Sequence, residues 1–262
     1  MHKKFNIGIF DSGVGGLSLV NKIKQKLPKE NIIYFADKAN GFYGTKTERE
    51  IKELCKLYAE FLHENQCKII LIASSSAACA ALPYLQEKFD FPVLGPIEEN
   101  IKAALKETKN NHISILTSPF TAFKKVYEDE IKKYSLDIKY ETITVSPLSN
   151  LVENGWNNFL DNEIILKKSL KNISLDSDTI ILGSSYLSLI KDDIKKNLKN
   201  KNIIDPADQW IKDLYKTLYK MNLLNDQEKS GRLEFFVNKD LDKFKKVSEN
   251  YLKNSIDVYQ IF

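Results

Sequence analysis

The sequence predicts an α/β protein of two pseudosymmetric halves, each built on a mainly parallel sheet, with an active-site cleft between them. Three observations predict it. Apolar runs of strand length alternate with longer segments of helical period, the signature of parallel strands joined by crossover helices. Each half carries two strand ends that run into small polar residues: FDS at Asp11 and LIASSS at Ser74, then LTS at Thr117 and ILGSS at Ser184. Asp11 to Ser74 is 63 residues (74 − 11) and Thr117 to Ser184 is 67 (184 − 117), so two independent anchors agree within the length of a loop.

The elements follow in order. NIGIF, a helix from about Gly16 to Leu27, NIIYFA, a helix from Glu48 to Glu64 and KIILIA make the first half. HISIL, a helix over Ala122 to Tyr134, IKYETITV, a helix through Glu163 to Leu170 and DTIILG make the second. The tail adds LEFFV, a helix around Leu241 to Leu252, and VYQIF, which must join some sheet. Sending the tail back to complete the first half gives a discontinuous first domain, 1–94 plus 210–262, and a second domain, 95–209. The chain then crosses over near Asp205 to Trp210.

Composition narrows the classes. Charged and hydrophobic fractions of 28% and 43% suit a soluble globular protein. The net charge of +4 comes almost wholly from lysine, with only Arg49 and Arg232 able to make bidentate contacts to phosphates or bases, so no nucleic-acid partner is expected. The run KDDIKKNLKNK, residues 191 to 201, reads as a solvated helix face. No membrane partner is expected either, because the most apolar stretch, Ile69 to Leu85, is interrupted by three serines and Pro83. MHKKFNIGIFDSG lacks the features of a secretory signal, which makes a cytoplasmic protein the expectation. Cys55, Cys67 and Cys79 have no metal-ligand spacing; they read as reduced core thiols, and no metal is expected.

Strand ends in open α/β sheets are where ligands bind, which puts Asp11, Ser74, Thr117 and Ser184 on the rim of a cleft. In FDSGVGGLS the glycines let the chain turn tightly before a helix, leaving amide N–H groups for an anion, with Asp11 beside them for an ammonium group or proton transfer. Tyr43 and Gly44, in GFYGTKT, follow the second strand onto the same rim. Ser74, Ser75 and Ser76, with Ser184 and Ser185 repeating two of them, offer hydroxyls and helix-start amides to a carboxylate. A serine hydrolase would need a histidine base, and His2, His63 and His112 all stand at structural positions.

FDSGVGGLS, FADKANGFYGTKT, LIASSSAACAALP, LVENG and DTIILGSSYLSL fall in the order and spacing of glutamate racemase motifs. With IIDPAD and FFVNKDLDKFKKVSENYL, the resemblance covers nearly the whole chain. It implies a cofactor-free active site between two domains, where one base removes the α-proton of glutamate and a second reprotonates the opposite face, supplying D-glutamate for peptidoglycan. Glutamate or a similar amino acid is then the small-molecule partner, and a homodimer is compatible with it. The family's two bases are cysteines, and the resemblance puts them at Ser74 and Ser184. It adds Asp11, Glu153 and Tyr186 to the catalytic set and Asp11, Ser12, Tyr43, Gly44, Ser75, Ser76, Thr121, Ser185 and Tyr186 to the substrate-binding set. The family usually has asparagine and threonine after the first cysteine, threonine and histidine after the second, and proline where Phe42 stands. A thiol near pKa 8.5 reaches the thiolate with modest help, whereas a serine hydroxyl lies above every titrating side chain. Activity is therefore expected to be low or altered, the alternative being a non-catalytic amino-acid-binding or regulatory homologue.

Overall fold

A computed structural model describes residues 2–134 and 136–261. The first half runs β1 (Asn6–Asp11), α1 (Leu17–Lys26), β2 (Ile32–Ala36), α2 (Glu48–Glu64), β3 (Cys67–Ile72), α3 (Ser75–Lys88) and β4 (Val93–Leu94). The chain continues through α4 (Ile97–Glu107), β5 (His112–Thr117), α5 (Pro119–Phe123), α6 (Val126–Tyr134), β6 (Lys139–Thr144), α7 (Ser146–Glu153) and α8 (Asn162–Leu170). Then come β7 (Thr179–Gly183), α9 (Ser185–Leu189), α10 (Lys191–Asn197), β8 (Asn202–Ile204), α11 (Pro206–Lys220), β9 (Leu233–Val237), α12 (Leu241–Leu252) and β10 (Val258–Gln260).

These strands form two wholly parallel sheets, β10-β9-β2-β1-β3-β4 and β6-β5-β7-β8. The order β2-β1-β3-β4 recurs as β6-β5-β7-β8, so the repeat read from the strand ends is a repeat of topology. The register carries it to single residues: Ile9 lies between Tyr34 and Leu71, as Ile115 lies between Thr142 and Ile181. The two tail strands pair beside β2 in the first sheet. Strands β4 and β8 are two and three residues long, too short to show an alternation in sequence.

Period-2 alternation sorts the apolar side chains into three layers. Ile7, Ile9, Tyr34, Ile69 and Leu71 face the same core as Leu116, Ile180 and Leu182 of the second sheet, together with Leu17, Val20 and Ile23 of α1, Leu148 and Val152 of α7, and Leu214 and Leu218 of α11. Phe10, Ile33, Phe35, Ile70 and Ile72 face outward onto α2 and α3. Ile113, Ile115 and Ile181 face outward onto Ile101 of α4 and Ile131 of α6. The central layer therefore belongs to both sheets, and α11 packs on α1 from one half and on α4, α9 and β7 from the other.

The helix expected over Ala122 to Tyr134 is two helices. Lys125 takes a left-handed conformation, φ 53°, between α5 and α6, and Phe123 is left largely exposed. The cause lies at the start of α5. Ser118 caps it by accepting from Thr121 N at 3.3 Å, and Pro119 starts it, so its direction is set by the cleft wall rather than by the apolar face of α6. Helix α2 starts as TERE suggests, with a capping box between Thr47 and Glu50.

One buried ion pair pins the returning chain. Lys68, with no exposed surface, donates to Glu30 Oε2 at 2.6 Å and to the carbonyls of Lys3 and Leu223 at 2.6 and 2.8 Å, while Glu30 Oε1 accepts from Asn225 N at 2.8 Å. The segment between α11 and β9 is thereby fastened beneath the first sheet. Removing one partner strands the other charge in an apolar setting. Lys68→Met is expected to lower unfolding free energy by about 3–5 kcal/mol in urea titrations, whereas Lys3→Met, which breaks an exposed 3.4 Å pair with Asp226, changes it by under about 1 kcal/mol.

Candidate active site

The carboxyl ends of both sheets converge on one cavity of about 100 Å³, enough for several waters or a small ligand. The first half lines it with Ser12 after β1, Phe42 to Thr45 after β2, and Ser74, Ser75 and Ser76 after β3. The second half lines it with Ser118 and Pro119 after β5, Ser146 and Ser149 after β6, and Gly183 to Tyr186 after β7. Ser74 and Ser184 thus face one cavity from two different sheets.

The glycine turn after β1 does bind an anion, and the anion is a side chain of the protein. Val14 N donates to Glu153 Oε2 at 2.9 Å, Gly13 N to Asp11 Oδ1 at 3.2 Å, and Gly16 N to the hydroxyl of Tyr34 at 3.2 Å. Of the amides expected to be free for a ligand, those of Gly13, Val14 and Gly16 are occupied. Tyr34 also donates to Gly13 O at 2.7 Å, which fixes the turn from below. A Cβ at Gly13 would overlap the Glu153 carboxylate, and one at Gly15 would overlap Ser185 Oγ, so glycine is required by close approach of the other half.

Glu153 reaches the turn from the end of α7, and its Oε1 pairs with Lys38 Nζ, both side chains nearly buried. Asp11 is fully buried beside them. Its Oδ1 accepts from Gly13 N and, at 3.4 Å, from the Ser12 hydroxyl; its Oδ2 has no hydrogen-bond partner among the described residues. Burial pushes the Asp11 carboxyl up to about 7; the neighbouring Ser185 hydroxyl opposes this and the charge of Glu153 adds to it. Tyr186 lies 3.5 Å from Ser12 Oγ with its ring edge on Phe42. Burial first, and then Glu153, hold its phenol well above the ordinary tyrosine value, so at neutral pH it is a hydroxyl and no base.

Around Ser76 the wall is a hydroxyl cluster shared by both halves. Ser76 Oγ lies 2.8 Å from Ser118 Oγ and 3.3 Å from Thr121 Oγ1, with Ser118 donating to Thr121 at 3.1 Å. Thr121 is wholly buried and acts on the cleft through these two serines. Ser74 caps α3, accepting from Ala77 N at 3.3 Å, whereas Ser184, at the matching position before α9, makes no such bond. Ser75 Oγ is buried without a partner among the described residues.

Several rim residues have other duties. Thr117, expected on the rim, is wholly buried and donates to Gly183 O at 2.7 Å, joining β5 to β7. Tyr43 lines the cavity, but its hydroxyl is committed to Asp37 Oδ2 at 2.8 Å. Asp37 also accepts from Asn40 and Asn238 and holds the loop after β2 in place. Gly44 lets that loop touch Ser118, where a Cβ would come within 2.9 Å.

Among the described residues no thiol or imidazole lines the cavity. Cys55 and Cys67 are buried, and burial raises both thiols. Cys79, on α3, is half-buried rather than a full core thiol, and burial pushes it up to about 12. His63 stacks on Phe91 at 4.7 Å, far from the cleft in role. Among the described residues no group of three or more His, Cys, Asp and Glu could hold a metal ion, and no helix is long and apolar enough to cross a membrane.

Sequence reasoning passed over Lys38, Asp37, Tyr34, Ser118, Ser146 and Ser149. The repeat held a signal for Ser118, which follows β5 as Ser12 follows β1. Lys38 and Tyr34 act through partners distant in sequence, which no local pattern encodes.

Two matching strand ends facing one cavity, one from each repeat, suit a two-base racemase, in which the reacting carbon is reached from both faces. The comparisons agree. Residues 7–214 match the model of the Asp/Glu/hydantoin racemases. The chain is 36% identical over 260 residues to the glutamate racemase of Fusobacterium nucleatum, covering 99% of this chain and 98% of the relative. It is 32% identical to that of Lactobacillus helveticus over 94% of this chain and 92% of the relative. A crystal structure of glutamate racemase from Bacillus anthracis superposes with a TM-score of 0.94 at 30% identity, covering 100% and 98% of the two chains. One from Francisella tularensis, in complex with D-glutamate, gives 0.90 at 29%, covering 99% and 98%. The chain belongs to the glutamate racemase family, within the Asp/Glu/hydantoin racemases.

Asp11 leaves a thermodynamic trace. Its carboxyl sits near 3.8 when unfolded and about 7 when folded, so between those values the native state holds a proton that the unfolded chain has lost. Stability attributable to this group therefore falls as pH rises from about 4 to 7, by roughly 4 kcal/mol. Asp11→Asn is expected to remove that slope, seen as a smaller difference between urea midpoints at pH 4.5 and pH 7.5 than in the unaltered protein.

Proposed function

We propose that the cleft binds glutamate and that the protein exchanges its α-proton far more slowly than a two-thiol racemase would. The observation that carries this is the lining: Ser74 and Ser184 present hydroxyls from the two sheets, with no thiol or imidazole in the lining among the described residues. Family membership supports glutamate as ligand and D-glutamate supply for peptidoglycan as the inherited role. The division into 1–94 plus 210–262 and 95–209 suits this reading, since it assigns one serine to each unit.

Each group has a part. Asp11, fully buried and outside the cavity lining, acts on the ligand's ammonium group by its charge from behind Ser12 and Ser185; Ser12, Ser75, Ser76 and Ser185 supply hydrogen bonds to the ligand's carboxylates; the amide of Gly44 and the ring of Tyr43 close the β2 side. Proton removal falls to Ser74 or Ser184, depending on the enantiomer. Every unit by which the base's pKa lies above that of a thiol adds about 1.4 kcal/mol to the cost of generating it. Tyr186, held as a phenol, donates a hydrogen bond but takes no proton. Asp11 can act as a local base only in the fraction that is ionised.

The test is α-proton exchange of L- and D-glutamate in deuterated buffer, followed by NMR. The unaltered protein is expected to exchange on the order of a thousandfold or more slowly than the Ser74→Cys/Ser184→Cys variant. Equal rates in the two would overturn the assignment of slow exchange to the serines. Calorimetry separates the limiting case: saturable heat with no exchange identifies a binding or regulatory homologue, and absence of heat with either enantiomer removes glutamate as ligand. Because ammonium recognition needs Asp11 as an anion, affinity is expected to rise about tenfold from pH 6 to pH 8; a flat profile argues against Asp11 in that role.

A further inference from the structure

Lys38 lies outside the cavity lining and outside the residues assigned above, yet it is the cation that meets the buried carboxylate of Glu153, the neighbour of Asp11. It follows β2 in the first half and pairs with Glu153 at the end of α7 in the second. Only 11% of its side chain and 7% of that of Glu153 is exposed, so the pair is screened little by solvent. Glu153 is held at its other oxygen by Val14 N. One oxygen on a backbone amide and the other on an ammonium group leave this carboxylate a single position, against the turn that carries Asp11.

We propose that Lys38 is a positioning residue of the cleft: by locking Glu153 against the glycine turn and offsetting its charge, it sets the charge that Asp11 carries toward a ligand. The electrostatic surroundings of Asp11 leave little else to do so. From its own turn it meets the Ser12 hydroxyl and the Gly13 amide; from β2, Tyr34; from α7, Glu153; from α9, Ser185 and Tyr186. All of these are neutral except Glu153, whose charge works against ionisation of Asp11. Lys38 is the positive charge paired with that carboxylate. Taking it away leaves Glu153 facing Asp11 uncompensated, across a medium of low polarity where like charges repel strongly.

The inference rests on the amino-acid reading of the cleft only for its binding consequence, so the first measurement is made without ligand. The carboxyl ¹³C resonance of Asp11 is titrated in the full-length protein and its variants. Lys38→Met is expected to raise the Asp11 midpoint by about half a unit or more, Lys38→Arg to restore it, and Glu153→Gln to lower it. A midpoint in Lys38→Met equal to that of the unaltered protein overturns the proposal, whatever happens to the melting temperature. Should the methionine variant not fold, Lys38→Gln, which keeps a hydrogen bond to Glu153 without the charge, is judged by the same midpoint. In calorimetry at pH 7, Lys38→Met is expected to bind glutamate several-fold more weakly. Failure of the unaltered protein to bind glutamate would count against the functional reading and leave the titration result standing.

Discussion

The carboxylate of Glu153 on the amide of Val14 is the contact around which the site is arranged. It joins the second half to the glycine turn of the first at the point where β1 ends. Gly13 must lack a side chain because Glu153 lies against it, and Gly15 must lack one because Ser185 does. Asp11 is sealed behind the same contact, away from water. The cleft is thus closed at its back by an ionic and amide contact and walled at its front by hydroxyls.

That division has chemical consequences. A wall of serine and threonine hydroxyls donates and accepts hydrogen bonds without fixed charge, so it holds a polar ligand by geometry. Charge is concentrated at one place, where Glu153 pairs with Lys38 close to the buried Asp11. What the wall lacks is a group that exchanges protons with carbon at moderate cost. The phenol of Tyr186 is held neutral by burial, and the three thiols lie elsewhere.

Much of this was legible in the sequence because it depends on short-range pattern. The apolar runs NIGIF, NIIYFA, KIILIA and DTIILG, alternating with helical segments, marked the parallel strands, and the doubled strand ends marked both the repeat and the cleft. Ser74, Ser75, Ser76, Ser184, Ser185, Tyr186 and Ser12 all line one cavity. The failures have a common source in tertiary pairing. Nothing in FDSGVGGLS says that the amide of Val14 is taken by a residue 139 positions away. Nothing in SPFTAFKKVYED says that a hydroxyl contact with Ser76 will set α5 apart from α6. Thr117 looked like the counterpart of Asp11 and is one in topology, but a threonine hydroxyl there satisfies a neighbouring strand's carbonyl instead of facing the ligand.

Ser74 holds two positions at once: it lines the cleft and it caps α3. A serine cap stabilises a helix start by about 1 kcal/mol relative to alanine, and the 3.3 Å bond to Ala77 N gives this residue that role. A cysteine, a poorer hydrogen-bond acceptor, would do that work less well. Selection on thermal endurance and selection on proton transfer therefore pull this single codon in opposite directions. Once turnover ceases to matter to the cell, the helix start alone is enough to keep serine there, while Ser184, which caps nothing, is left free to drift.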